Sequence, residues 1–146
     1  MELTTSYVFD AAHRIRGHAG KCRYLHGHSY RLEVTISAEG LDPLGMVMDF
    51  EDLAHAVRKA LLDRWDHAAL LADDDPLADA VSRVQAEAPE RVVRLPGSPS
   101  VELMTREAWA ALERALPPHV ALERVAIQET PTCGSALTRG IRRLAS

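Results

Sequence analysis

The run from Ser29 to Ala38 sets Tyr30, Leu32, Val34 and Ile36 on one face and Arg31, Glu33 and Thr35 on the other. A period of two held over this length predicts a strand with one face in a core and the other turned to polar surroundings. A second alternation, Leu3, Thr5, Tyr7, Phe9 and Ala11 over residues 3–12, predicts a partner strand upstream. Between them lies a Gly- and His-containing connection, residues 13–28, longer than hairpin turns usually are. Connections of that length inside a domain are either functional or disordered.

This connection carries the chemistry. His26 and His28 are two residues apart, so they share a face if the strand begins a little before Ser29. His13 closes the first alternating run, and a hairpin brings it alongside them. Three histidines converging from two paired strands are a way to hold zinc with one position open for a substrate. The competing reading is a chance His-x-His pair on a solvated loop. The third histidine and the nearby Cys22 favour a site.

Downstream, the turn chemistry of 40–45 leads to a helix capped by Asp49, with Phe50, Leu53, Val57, Ala60 and Leu61 at helical spacing. His55 falls on its charged face and reads as solvated. Asp66-His67 ends the helix. An Asp beside a His can orient the imidazole as a proton carrier, but the residues alone favour a helix-end charge pair. Residues 72–90 carry Asp73, Asp74, Asp75, Asp79, Glu87 and Glu90, and such runs read as solvated loop or short exposed helix.

Residues 91–95 predict a short strand. Ser98 or Ser100 then caps a helix with Val101, Met104, Ala108, Leu112 and Ala115 on one face, and Glu102 in its first turn suits the helix dipole. A last strand over about 120–130 puts Glu129 on the face of Val125 and Ile127. A carboxylate in line with core residues sits at the rim or needs a partner, such as a ligand rich in N–H donors. Cys133 reads as part of a structural turn, and 134–146 as a basic tail with an edge strand.

The net charge of -4 offers no basic stripe for nucleic acid. Two distant cysteines make no disulfide framework. No leader-like start and no apolar run long enough for a bilayer are present. The expectation is one domain over 1–146, in a reducing, cytoplasmic setting, without nucleic acid or membrane as partner. The order of elements predicts an α+β fold with helices on one face of an antiparallel sheet, whose open edges favour self-association.

His13, Cys22-x-x-x-His26-Gly27-His28, Gly45-Met46-Val47-Met48-Asp49-Phe50, Asp66-His67, Pro99-Ser100-Val101-Glu102 and Glu129-Thr130 stand in register over most of the chain. In this the chain resembles the 6-pyruvoyltetrahydropterin synthase family, and the spacing of Cys22 to His-Gly-His is similar to its bacterial 6-carboxytetrahydropterin synthase branch of queuosine-type biosynthesis. The resemblance implies a tunnelling fold: a four-stranded antiparallel sheet with two helices on one face, closing with other subunits into a barrel, two trimers stacking as a homohexamer. It implies zinc on His13, His26 and His28. It implies Cys22, Asp66 and His67 as catalytic, the last two crossing a subunit interface. Glu129 would anchor the pterin, with Thr130, Ser100 and Glu102 as further substrate-binding residues.

The implied reaction converts 7,8-dihydroneopterin triphosphate to 6-carboxytetrahydropterin, acetaldehyde and triphosphate. The alternatives are a 6-pyruvoyltetrahydropterin synthase, which keeps the carbon chain, and a non-catalytic zinc-binding protein with a pterin site. Three departures mark the chain. Ser100 stands where the family has threonine, Leu70-Leu71 where an asparagine often follows Asp-His, and the acidic stretch 72–90 is long.

Overall fold

Strands β1 (Glu2–His13) and β2 (His26–Ser37) pair antiparallel along their whole length in a computed structural model that describes residues 1–140. The register sets Phe9 opposite Tyr30, Ala11 opposite His28 and His13 opposite His26. The ladder thus runs three residues further upstream than Ser29, and the histidines belong to the strands. The connection shrinks to residues 14–25, with a single 3-10 turn at Lys21–Arg23. Gly27 permits the close pairing between the two histidines, since a Cβ there would lie 3.2 Å from the Ala11 carbonyl oxygen.

β5 (Ala121–Thr130) pairs antiparallel with β2, and β6 (Cys133–Thr138) with β5. These four strands form the expected antiparallel sheet. They are not the whole of it. β3 (Ala68–Ala72) joins β1 in parallel over Ala11–His13, and β4 (Val92–Leu95) joins β3 in parallel, giving a mixed six-stranded sheet in the order β4-β3-β1-β2-β5-β6. The prediction of a four-stranded sheet fails at Ala68-Ala-Leu-Leu-Ala72, a short apolar run without alternation. Ala68, Leu70, Leu71 and Ala72 are all buried, as residues of parallel strands covered on both faces are. The edge-strand reading of the tail holds for 134–138, Cys133 opens that strand instead of lying in the turn before it, and residues 141–146 lie outside the described residues.

One face of the sheet is packed by helices. α1 (Phe50–Val57) starts at Asp49, whose carboxylate accepts from the Glu51 N–H at 2.7 Å. It continues through a π-helical segment, Arg58–Leu62, into a last turn, α2 (Asp63–Trp65). α4 (Val101–Ala115) starts at Ser100, whose hydroxyl accepts from Leu103 N–H. Leu53, Val57, Leu61 and Trp65 from the first helical run and Met104, Ala108 and Leu112 from α4 meet Phe9, Tyr30, Leu32, Val34 and Ile36 in one core. Each large aliphatic side chain buried there contributes about 2 kcal/mol.

The acidic stretch holds a short helix, α3 (Pro76–Val84), packed on a smaller apolar cluster of Leu71, Ala78 and Val92. The sequence reading of a solvated stretch throughout is corrected at one carboxylate. Asp75 is only 1% exposed and pairs with Arg14.

The opposite face of the sheet carries Val8, Asp10, Ser29 and Arg31, all exposed. β1 meets β3 only over Ala11–His13, so its outer edge from Glu2 to Asp10 has no strand partner, and neither has the outer edge of β6 among the described residues. No helix among the described residues is long and apolar enough to cross a membrane.

Candidate metal centre and active site

His13, His26 and His28 converge at the end of the β1–β2 ladder, on the helix-packed face. One ring nitrogen from each lies within 4.8 Å of the others, and the ring centroids are 4.7 to 5.2 Å apart. His13 Nδ1 is 2.8 Å from the Pro99 carbonyl oxygen, and His26 Nδ1 is 2.8 Å from the Tyr24 carbonyl oxygen. A carbonyl only accepts, so both Nδ1 atoms carry the proton and both Nε2 atoms keep a free lone pair. His13 Nε2 and His28 Nε2 are buried without a hydrogen-bond partner. Burial pulls the His13 pKa below 6.5, outweighing the opposite pull of the Pro99 carbonyl and Glu129, and its two histidine neighbours push the same way as burial. Three converging imidazoles, two of them fixed by carbonyls behind Nδ1 so that Nε2 is free to donate a lone pair, are the donor set of a divalent metal. The residues fit the ion that the resemblance implies.

Glu129 reaches the same place from β5. Its Oε1 lies 3.3 Å from His13 Nε2 and 3.8 Å from His28 Nε2, so it neighbours two of the histidines without joining the ligand group. A bulge sets it there. Gln128 opposes Gly134 and Thr130 opposes Cys133, which leaves Glu129 as the extra residue. Gly134 is required at that point, because a Cβ would come within 2.6 Å of the Ile127 carbonyl oxygen. Thr130 turns its hydroxyl to the hairpin, accepting from Cys133 N–H at 3.1 Å.

Tyr30, read from the alternation as core, is buried in the core and also borders the histidine cluster. Its ring meets those of His13 and His28 edge-on at 6.0 and 5.5 Å, and its buried hydroxyl has no partner among the described residues. Burial raises its pKa first, and the charges of Glu129 and Cys22 push the same way. A buried polar atom with no partner is the signal that could have found it, and only a structure displays that. Cys22 sits half-buried in the 3-10 turn, with its carbonyl accepting from Ile15 N–H at 2.7 Å.

Asp66 and His67 do not meet these groups within the chain. They lie against Asp10, whose side chain points to the opposite face of β1 from His13. Asp66 Oδ1 accepts from Asp10 N–H at 2.9 Å and lies 3.0 Å from His67 Nδ1. His67 N–H donates to the Asp10 carbonyl at 2.6 Å, which holds this non-glycine residue at φ 59°, at a cost of about 1 kcal/mol. Partial burial works to raise the Asp66 pKa, but the Asp10 N–H, His67 and Arg91 overcome it and the net shift is downward. The imidazole is 73% exposed on the open face of the sheet. Asp10, which the sequence reading passed over, ties the pair to β1 and also accepts from Ser29 Oγ.

Of the remaining predicted residues, Ser100 caps α4 directly after Pro99, the residue that holds His13. Glu102 is exposed in the first turn of that helix, and no hydrogen bond or ion pair among the described residues joins it to the histidines.

An antiparallel β1-β2-β5-β6 sheet, helices on one face and a three-histidine cluster at one end define an α+β protein of the tunnelling fold. The chain belongs to the 6-pyruvoyl tetrahydropterin synthase family, which it matches over residues 2–139. It is similar to proteins named 6-carboxy-5,6,7,8-tetrahydropterin synthase in Haemophilus influenzae (30% identity, 90% of this chain and 94% of that one) and Rickettsia bellii (36% identity, 70% and 72%). A protein of Halobacterium salinarum carrying the same name, as probable, is 38% identical over 90% of this chain and 79% of its own.

Two solved structures are similar in fold. An uncharacterised protein from Wolinella succinogenes has TM-score 0.75 at 22% identity, covering 95% of this chain and 98% of that one. The 6-pyruvoyl tetrahydropterin synthase of Caenorhabditis elegans has TM-score 0.69 at 24% identity, with 94% of each chain covered. The chain is a lyase of this enzyme family.

Proposed function

We propose that the chain is a zinc-dependent 6-carboxy-5,6,7,8-tetrahydropterin synthase of the 7-deazapurine (queuosine) route, acting in the cytoplasm on 7,8-dihydroneopterin triphosphate to give 6-carboxytetrahydropterin, acetaldehyde and triphosphate. The observation that carries this reading is the pair of buried, unpartnered Nε2 atoms of His13 and His28 beside the carboxylate of Glu129. The names of the relatives support the product. Zinc would be held by His13, His26 and His28, and the chemistry it supplies is Lewis-acid polarisation of a substrate hydroxyl.

The residues of the chain do the rest. Glu129 accepts hydrogen bonds from the 2-amino group and ring N–H of the pterin, and Thr130, Ser100 and Glu102 line the ring's surroundings. Cys22 removes a proton from the substrate side chain. His67, oriented through Nδ1 by an Asp66 that stays ionised, presents its outer nitrogen for proton transfer during triphosphate loss and side-chain cleavage. The two halves lie on opposite faces of one sheet, so a complete site takes Asp66 and His67 from a neighbouring chain. The unpartnered edges of β1 and β6 suit a barrel closed by subunits, and the expected assembly is a homohexamer of two stacked trimers.

The test is direct. Zinc-loaded protein incubated with dihydroneopterin triphosphate is expected to release acetaldehyde and triphosphate. A pyruvoyl product without acetaldehyde would make the chain a 6-pyruvoyltetrahydropterin synthase. No turnover with zinc bound would leave a non-catalytic pterin-site protein.

A further inference from the structure

The acidic segment after β3 grips the loop that carries Cys22. Arg14 donates through Nε to Asp75 Oδ2 at 2.7 Å and through Nη2 to Oδ1, a bidentate pair on a carboxylate that is 1% exposed. Two residues on, Arg16 Nη1 donates to the Asp74 carbonyl at 3.1 Å and lies 3.7 Å from the Asp74 carboxylate. Between the two arginines stands Ile15, whose N–H holds the Cys22 carbonyl at 2.7 Å. Asp75 is itself anchored. Its N–H donates to the Ala72 carbonyl at the end of β3, and its Oδ1 caps α3 by accepting from Leu77 N–H at 2.9 Å. The anchored Asp75 carboxylate thus holds Arg14 on one side of Ile15, and the neighbouring Asp74 holds Arg16 on the other.

We propose that Asp75 is a positioning residue for Cys22, and that the segment 73–84 serves as a brace for the loop 14–25. The reason is mechanical: the loop has no regular structure beyond one turn at Lys21–Arg23, and its own bonds close it on itself through Ile15 without fixing it to the sheet. Two charge-assisted contacts flanking Ile15 remove that freedom next to the thiol.

The proposal rests on Cys22 being the catalytic thiol, so its test uses a readout that needs no turnover. In a Cys133→Ser background Cys22 is the sole thiol, and its alkylation by iodoacetamide in zinc-loaded protein is followed by mass spectrometry. Asp75→Asn keeps a side chain that can cap α3 but removes the charged fork. It is expected to speed Cys22 alkylation by about 5-fold or more and to lower kcat about 10-fold with KM and bound zinc unchanged. Arg14→Lys, which keeps the charge and loses the bidentate geometry, is expected to act in the same direction should Asp75→Asn fail to fold. Alkylation unchanged in folded Asp75→Asn and Arg14→Lys would overturn the proposal. So would a loss of activity cured by excess zinc, which would place the effect on His13 instead. If the parent itself fails to turn over, alkylation and zinc content still decide.

Discussion

His13 Nδ1 lies 2.8 Å from the carbonyl oxygen of Pro99, a residue 86 positions away that immediately precedes the cap of α4. This contact commits the buried imidazole to one tautomer and aims its free lone pair at His26 and His28. Zinc is therefore expected to bind the folded chain and raise its melting temperature, by an amount equivalent to about 2.7 kcal/mol at a hundredfold excess over Kd. His28→Ala should abolish both binding and the thermal shift, whereas Cys22→Ala should keep them and lose activity. Differential scanning fluorimetry with metal analysis decides. Equal zinc loss in the two variants would make Cys22 a ligand.

The placement of His67 and His13 on opposite faces of β1 predicts complementation between inactive variants. Cys22→Ala and His67→Ala are each expected to lose turnover alone. Denatured together and refolded with zinc, they should recover roughly a quarter of parental activity, the fraction of interfaces pairing an intact Cys22 with an intact His67. Recovery no higher than the sum of the separate variants would place both groups in one chain's site.

Tyr30 is 0% exposed and its hydroxyl has no partner among the described residues. Phenylalanine has the same shape without the unsatisfied polar atom. Tyr30→Phe should leave stability unchanged or raise it by up to about 1 kcal/mol, read as a urea midpoint. A loss larger than that would mean the hydroxyl is bonded in the folded protein.

The Arg14–Asp75 pair has a pH signature. The Arg14 hydrogen bonds, which outweigh the effect of burial, hold the Asp75 carboxyl below its ordinary 3.8. A carboxylate depressed in the folded state contributes stability above its unfolded pKa and loses that contribution as pH falls through the folded value. Asp75→Asn should then cost about 2 kcal/mol at neutral pH, and the gap to the parent should stay constant down to about pH 5 and close below about pH 4. Thermal unfolding in a pH series measures it. A gap that widens on acidification would show that the pair is not what Asp75 contributes.

Much of this could be read from the chain. A period of two in β1, β2 and β5 decides which side chains share a face whatever the rest of the molecule does, so His26 and His28 stand with Tyr30, and Glu129 with Ile127. Helical spacing likewise put Leu53, Val57, Met104, Ala108 and Leu112 inward, and Asp49 at its cap. These are local consequences of backbone geometry. β3 escaped because Ala68–Ala72 has no period, being covered on both faces, and a run of five apolar residues is as compatible with the end of a helix.

Tertiary structure alone decided the rest. The proton on His13 is set by Pro99, the burial of Asp75 by Arg14 at a separation of 61 residues, and the side of the sheet on which His67 emerges by Asp10, 56 residues before Asp66. Each is a pairing between groups far apart in the chain, and such pairings leave no trace in local spacing. By itself the sequence determined that His26 and His28 share a face with Tyr30, because strand geometry requires it, while the bulge in β5 brings Glu129 to them. That the Asp66–His67 pair turns to the other side was settled by packing, since the chain leaves α2 and enters β3 along the edge of β1 with its backbone bonded to Asp10.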